Sequence, residues 1–254
     1  ITASAGTSNF RAGVNAGNSI ASGGNYNTVV GDEAGTAITT GDQNVAIGYG
    51  AASALSTGAN IVAIGYLAGD AITTGENNIA IGKNALGAED THDFNIAIGS
   101  NALAVQNAGA DAYNIAIGHN AGTAVTTGAN NTLIGGLAGA ANTTASWNTA
   151  VGFGAGSGNT TGLITAVGSQ ALQQNTTGVA NVAVGGYTSG LNYAALWSNT
   201  TGSSNTAMGS AALRSNTTAS NNTAVGYQAG YANTTGALNT SIGGNAGDAI
   251  TTGA

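Results

Sequence analysis

The stretch Asn222-Thr-Ala-Val-Gly226-Tyr-Gln-Ala-Gly-Tyr-Ala-Asn-Thr-Thr-Gly236 decides the fold, because variants of it recur along the chain. A short apolar run ending in glycine returns fourteen times, and most copies are seventeen residues apart. Regular spacing over so many copies is the sequence signature of a repeat protein. Seventeen residues are too few for a propeller blade or a helical repeat, but they suit one coil of a β-solenoid.

Two glycine corners divide each copy. Gly226 ends the apolar run, and Gly236 follows ten residues later in a Thr-Thr-Gly corner. Glycine adopts positive φ without strain, and the β-branched residues between the corners alternate as in a strand. We therefore expect two short strands and two turns in each coil. Stacking would place the Asn residues in an amide ladder and the Thr-Thr pairs in a hydroxyl ladder.

The repeats predict an all-β fold, a parallel β-solenoid of fourteen coils that forms a single repetitive domain over residues 1–254. The absence of proline agrees, because a ladder needs every backbone N–H. Both ends fall at the same corner of a coil, without the atypical capping unit that usually closes a solenoid. This indicates a segment of a longer fibre or a subunit that stacks end to end.

Composition excludes several classes of function. Three basic residues cannot form the phosphate-binding stripe of a nucleic-acid protein, and no apolar run approaches the length of a membrane span. The lack of cysteine removes disulfides and thiol chemistry and leaves the compartment open. Most coils lack carboxylates for acid–base work, and neither histidine belongs to a triad-like arrangement. We predict no catalytic residue, no cofactor and no enzyme activity.

Each coil contains only two or three sizeable apolar side chains, which is little to offset the entropy of ordering seventeen residues. This shortfall favours a further apolar face buried between chains. Closed cyclic symmetry would bury such a face in a narrow solenoid. The expected partner is therefore the chain itself, as a homo-oligomer.

The Asn-x-Ala-(Ile/Val)-Gly-x-x-Ala pattern resembles the head repeats of trimeric autotransporter adhesins. The stretch from Asn222 to Gly236 is similar to repeats in bacteriophage tail fibres. The resemblance covers nearly the whole chain, although the seventeen-residue period is longer than that of the adhesin heads. It implies a left-handed parallel β-roll, a homotrimeric fibre, and attachment to a host cell or surface. It also implies an extracellular position on a virion or bacterial cell.

The largest irregularity is a 24-residue interval between Gly185 and Gly209. An insertion in a solenoid bulges outward as a loop, so Tyr187, Tyr193 and Trp197 are candidate contacts for a cell-surface receptor or glycan. The alternative is that these rings fold back over the coils. A separate set of aromatic residues follows the first glycine corner and predicts a packing ladder: Tyr49, Tyr66, Phe153 and Tyr227.

Polar clusters offer weaker candidates. Glu89-Asp90-Thr-His92-Asp93 replaces one Thr-Thr-Gly corner and suggests either a calcium or transition-metal site or a solvated polar loop. The solvated loop is preferred, and no metal site is predicted, because no ligand spacing recurs. His119 is expected to be a variable surface residue. Asn-x-Thr sequons recur at one fixed corner and are interpreted as a by-product of the repeat, with glycosylation as the alternative: Asn142, Asn159, Asn175, Asn199, Asn216 and Asn233.

The leading functional hypothesis is a structural fibre or adhesin segment that mediates attachment at a virion or bacterial surface. One alternative is a self-assembling extracellular filament whose subunits stack end to end. Another is an ice-binding solenoid that uses its Thr ladder.

Overall fold

The computed structural model describes residues 6–187 and 194–252, and every regular element in these ranges is a β-strand. The chain divides into two compact units, Ile1–Ala129 and Asn130–Ala254. The first unit contains β1 (Phe10–Ala12), β2 (Thr28–Val30), β3 (Val45–Ile47), β4 (Val62–Ile64), β5 (Ile79–Ile81), β6 (Ile96–Ile98) and β7 (Ile115–Ile117). The second contains β8 (Thr132–Ile134), β9 (Thr149–Val151), β10 (Ile164–Val167), β11 (Asn181–Val184), β12 (Thr206–Met208), β13 (Thr223–Val225) and β14 (Thr240–Ile242).

Within each unit, every strand pairs in parallel with the next strand along the chain. The register places like residues side by side: Ile79 pairs with Ile96, Ala80 with Ala97 and Ile81 with Ile98. The protein is thus all-β, a parallel β-solenoid with a repeat of about seventeen residues. This confirms the fold class that the repeats predict.

Each coil has one strand, so the prediction of two strands per coil is wrong. The remainder of the coil turns through left-handed residues, such as Leu67 with φ 50° and Gly69 with φ 56°, which an extended strand cannot contain. The backbone of these turns still bonds from coil to coil. Thr39 N–H donates to the carbonyl of Ser56 at 2.9 Å, so stacking is continued outside the strands.

The two glycine corners exist for different reasons. Gly48 ends β3 with φ 129°, and a Cβ there would lie 2.5 Å from the carbonyl oxygen of Gly65. Positive φ is therefore confirmed at the first corner. At the second corner Gly58 lies outside the left-handed region, so the expectation of positive φ is wrong there. Glycine allows close approach instead, because a Cβ there would overlap the carbonyl oxygen of Gly75.

In many coils one large side chain fills the interior, and it lies at one of two positions three residues apart. Gly69 faces Ile72, and a Cβ on Gly69 would lie 2.9 Å from the Cδ1 atom of that isoleucine. In some coils the second position is polar, as at Asn175, and the first is a buried leucine, Leu172. In others both are small or polar, as at Gly139 and Asn142, and a strand residue, Leu133, fills the space beside the glycine. The narrow interior therefore exchanges volume between neighbouring positions.

Asparagine and threonine form ladders, but mainly with the backbone. Asn44 at the start of β3 accepts from the N–H of Ile61 at 2.9 Å and donates to the carbonyl of Gly58 at 2.9 Å. The hydroxyl of Thr39 donates to the carbonyl of Ser56 at 3.1 Å, so the threonine ladder is one of hydroxyls and carbonyls. Amide-to-amide bonding is most continuous at the buried Asn residues of the second unit's Thr-Thr corners, which differs from the predicted place.

Candidate functional site

The outward-facing surface of the strands is the most regular surface of the molecule. In most strands the middle residue is buried and its two neighbours are partly exposed, as in Val45-Ala46-Ile47. We call the positions on either side of the inward-facing middle residue the outer face. In the first unit it is mainly Val and Ile, and in the second unit Thr alternates with Val, Ile or Met.

The outer face carries no charged side chain on any of the fourteen described strands. Arg11 occupies the inward-facing middle position of β1, where its Nε donates to the Ala16 carbonyl at 2.8 Å. The protein nevertheless has a formal net charge of −7, and its acids lie in the turns, for example at Asp42 and Asp70. A contiguous exposed surface that is apolar and uncharged marks an interaction site in most soluble proteins. The sequence analysis expected an apolar face between chains but did not place it on these residues.

A file of exposed residues borders the outer face, one residue before each strand-start Asn. These residues lie in the left-handed region, where Asn is tolerated and a bulky side chain is unusual. Several are large and exposed nonetheless, including Tyr26, Phe94, Tyr113 and Trp147. Phe94 and Tyr113 stack with ring centroids 5.1 Å apart. Sequence reasoning missed this file, although its constant place before the Asn was visible.

A groove of about 380 Å³ opens in the outer face of the second unit. It arises at the one sixteen-residue interval, where Leu163 is followed directly by Ile164 and the left-handed residue between them is absent. Ala180 N–H donates to the Leu163 carbonyl at 2.8 Å, so the coils stay in register across the gap. The groove is lined by Trp147, Leu163, Ile164, Thr165, Ala180, Asn181 and Val182.

Two of the three proposed receptor-contact residues lie in the described part of the chain. Tyr187 is 40% exposed, Tyr193 lies outside the described residues, and Trp197 is half-buried. Ala195 N–H donates to the Gly185 carbonyl at 3.0 Å, as the equivalent alanine does in regular coils. The extra residues therefore lie between Gly185 and Ala195, and Trp197 belongs to the regular coil rather than to the insertion.

Trp197 takes part in a lateral contact across several coils. Its indole N–H donates to Gln173 Oε1 at 2.6 Å, and the guanidinium of Arg214 lies 5.3 Å from its ring centroid. Arg214 also lies 5.8 Å from the ring of Tyr231. Trp197 therefore packs against neighbouring coils, while the prediction of receptor contact stays untested for all three residues.

The predicted aromatic ladder exists only where two aromatic residues occupy adjacent coils. Tyr49 and Tyr66 stack with centroids 5.5 Å apart, and the Lys83 ammonium lies 5.9 Å from the Tyr66 ring. Phe153 and Tyr227 are exposed and have smaller residues at this place in the coils beside them. His119 is exposed, as expected.

Glu89 contradicts the interpretation of its corner as a solvated loop, because its side chain is fully buried. Its Oε1 lies 2.7 Å from His92 Nδ1, and its Oε2 accepts from the Gln106 amide at 3.0 Å. Burial raises the pKa of Glu89, and the hydrogen bond from His92 opposes that rise. Glu89, Asp90 and His92 could offer one ligand atom each to a cation. Since donors already occupy both Glu89 oxygens, these contacts describe a clamped carboxylate.

The sequon asparagines are buried, with their side-chain amides in hydrogen bonds. Asn199, for example, donates to Asn175 Oδ1 at 2.7 Å and to the Gly202 carbonyl at 2.9 Å. A glycan on that nitrogen could not fit the folded coil. The structure thus supports the interpretation of these sequons as a product of the repeat.

The fold and surfaces define a β-solenoid repeat protein. Comparison of the chain with protein-family models, with curated proteins and with solved structures finds no match in any of the three. No helix in the described part of the chain is long and apolar enough to cross a membrane.

Proposed function

We propose that the protein is a structural fibre or adhesin segment, assembled as a homotrimer through its outer face and displayed on a virion or bacterial surface. The single observation that carries the proposal is the absence of charge from the outer face of all fourteen described strands. The threefold symmetry, the adhesive role and the extracellular position come from the resemblance of the repeats to adhesin heads and tail fibres.

The extent of the outer face supports self-association. Seven strands about 4.8 Å apart and about 10 Å long present roughly 330 Å² in each unit. The face of each unit is therefore somewhat under half of the ~800 Å² per partner of a standard interface. A surface of this size, once buried, supplies the apolar contact that each thin coil lacks.

The distribution of charge favours a second copy of the chain as the molecule that covers the outer face. Chains with a net charge of −7 repel one another unless their acids stay apart, and the outer face is where the turns with their acids are absent. Two copies also share the same coil spacing, so ridges of one face can meet grooves of the other along its length. Closed symmetry buries the face completely.

The test is the mass of the protein in solution, measured by light scattering on wild type and charged variants. Ile81→Asp and Thr149→Asp place a carboxylate on the outer face, one in each unit, and we expect both to be monomers. Thr57→Asp, at an exposed corner, is the matched control and should remain trimeric. A wild-type monomer, or folded outer-face variants that stay trimeric, would contradict the proposal.

The adhesive role needs its own experiment. Binding of labelled protein to host cells or to a glycan array should fall in Tyr187→Ala and Tyr193→Ala. Tyr227→Ala, which removes an exposed ring from a regular coil, is the control and should bind as wild type does. Equal binding by all of these proteins would remove Tyr187 and Tyr193 from the contact.

One observation favours a second candidate, an ice-binding solenoid. In the second unit, the second Thr of the corner is exposed on successive coils: Thr144, Thr161, Thr177, Thr201, Thr218, Thr235 and Thr252. A regular file of hydroxyls and methyls is the kind of surface that such a function uses. Thermal hysteresis in wild type that is lost in Thr177→Lys would favour this candidate, and its absence in wild type would eliminate it.

A further inference from the structure

We infer that the groove beside Trp147 is the seat for the Trp147 side chain of a second copy of this chain. The Trp147 side chain of one copy, which we call the knob, would insert into the groove of the neighbouring copy, which we call the hole. This contact would fix the register between the two copies. This inference rests on the proposed self-association and adds to it the residues that fix how two copies align.

Trp147 is the largest of the bulky residues that lie in the left-handed file beside the outer face. Its backbone has φ 63°, a region that disfavours bulky side chains, whereas Asn60, Asn77, Asn130 and other coils' residues fill the same place at less cost. The Trp147 side chain is also 69% exposed. A strained, exposed tryptophan gains little from its own chain, so its favourable contacts lie elsewhere. Tryptophan is the residue type most typical of interface hot spots.

The groove lies directly beside this knob. It exists because the left-handed file has a gap after Leu163, and because the next member of the file, Ala180, is small. Its volume of about 380 Å³ is at the small end of the range for ligand sites, which suits one aromatic ring system. The walls from Leu163 and Val182 are apolar, whereas the Ile164 side chain is buried in the coil interior beside Gly156.

The polar atoms of the groove match an indole better than a sugar. The Asn181 amide is already used, since its nitrogen donates to the Gly202 carbonyl at 2.7 Å and its oxygen accepts from Asn205 N–H at 3.0 Å. Thr165 leaves one hydroxyl without a partner in the described part of the chain. An indole carries one N–H, which needs one acceptor when buried. A sugar ring carries several hydroxyls and would leave most of them unpaired.

Symmetry brings the knob to the hole. In a cyclic assembly whose axis follows the stacking of the coils, every copy lies at the same height. Trp147 of one copy therefore meets the same level of its neighbour, and the groove begins at that level. Each copy gives one knob and receives one, so the contact closes into a ring.

The experiment combines tryptophan fluorescence with size-changing variants at the knob and the hole. In a Trp197→Phe background, Trp147 is the one remaining tryptophan. We expect blue-shifted emission and protection from acrylamide in the assembly, and both should be lost in the monomeric Ile81→Asp variant. Trp147→Asn removes the knob with a residue suited to its backbone, and Ala180→Leu fills the hole. Each should raise the dissociation constant at least tenfold. Trp147→Asn should leave chain stability unchanged or higher, and circular dichroism should show that Ala180→Leu, whose backbone has φ 57°, is still folded.

The outcomes separate this inference from the proposal on which it rests. Trimers whose Trp147 remains fully accessible to acrylamide, and whose affinity is unchanged in Trp147→Asn and Ala180→Leu, would overturn the knob and leave the assembly standing. Blue-shifted Trp147 in the Ile81→Asp monomer would place the ring in its own chain's groove and would likewise overturn the knob alone. A wild-type monomer would overturn both. Increased Trp147 quenching on addition of free sugar would show a glycan at this groove and would also count against the inference.

Discussion

The side-chain amide of Asn199 donates to Oδ1 of Asn175, one coil earlier, at 2.7 Å, and both residues are fully buried. Asn216 continues the ladder by donating to Asn199 Oδ1 at 2.8 Å. The interior of the second unit is therefore held by a polar column in which each amide serves its neighbours. Such a network is stable only while every member has partners.

Asn199→Ala should destabilise the second unit strongly. The change removes the short bond to Asn175 Oδ1, which keeps only the Asn181 amide at 3.5 Å, and it removes one of the two acceptors of the Asn216 amide, which keeps the Ala219 carbonyl. Weakening buried polar groups in this way costs about 1–3 kcal/mol for each group. Urea unfolding followed by circular dichroism should show a loss of about 2–4 kcal/mol on that basis. Thr201→Ala, an exposed change in the same corner, is the control and should cost about 0.5 kcal/mol or less. Equal costs for the two variants would show that the amide column does not stabilise the fold.

Gly69 and Ile72 share the interior space of one coil, so the loss of stability caused by a larger residue at position 69 should be partly recovered by a smaller one at position 72. Gly69→Leu should destabilise the first unit by about 3 kcal/mol or more, because the new side chain meets Ile72 in an interior that has no room for both. Adding Ile72→Asn reproduces the Leu172 and Asn175 arrangement and should recover part of that loss. A double-mutant cycle measures the coupling, and strict additivity of the two changes would contradict the account.

The buried carboxylate of Glu89 predicts a pH dependence of stability. Because burial raises its folded-state pKa above the unfolded value of 4.5, folding favours the protonated form. The contribution of Glu89 to stability is therefore full below pH 4.5 and is lost as pH rises through the raised pKa. Glu89→Gln should flatten this dependence and stabilise the protein at pH 7 by about 1 kcal/mol.

Gln106 can stabilise the Glu89→Gln variant. The Oε1 atom of Gln106 has no hydrogen-bond partner in the described structure, and after a rotation of the Gln106 amide it can accept from the side-chain amide of the new glutamine. Urea unfolding at several pH values measures the effect. Glu76→Gln, at an exposed carboxylate, is the control and should keep the wild-type pH profile. An unchanged profile in Glu89→Gln would show that the buried carboxyl is not the titrating group.

The repeat made the solenoid predictable, because fourteen aligned glycines leave few other folds open. The pairing of Ile79 with Ile96 follows directly from that alignment. The number of strands in each coil could not be predicted in the same way. Non-glycine residues such as Leu67 adopt left-handed backbone conformations, which their residue type does not indicate. Likewise Glu89 looked like a solvated acid, since its corner is polar in sequence and only the stacking of the coils buries it against Gln106.

In the candidate site, too, the sequence predicted some features, and others depended on how the coils stack. The 24-residue interval identified the insertion correctly, but stacking returned Trp197 to a regular coil. The sixteen-residue interval attracted no prediction, although the loss of one residue is what opens the groove beside Trp147. A missing residue opens a groove only when the coils on either side of it are stacked in register. The sequence of one coil therefore does not show the groove.

The mass of the intact protein by light scattering, compared with that of Ile81→Asp, tests the central claim most directly. We predict three times the chain mass of 24.1 kDa for wild type and a single chain mass for the variant, with β-rich circular dichroism in both. A folded wild-type protein with the mass of one chain, at concentrations well above micromolar, would contradict the role assigned to the outer face.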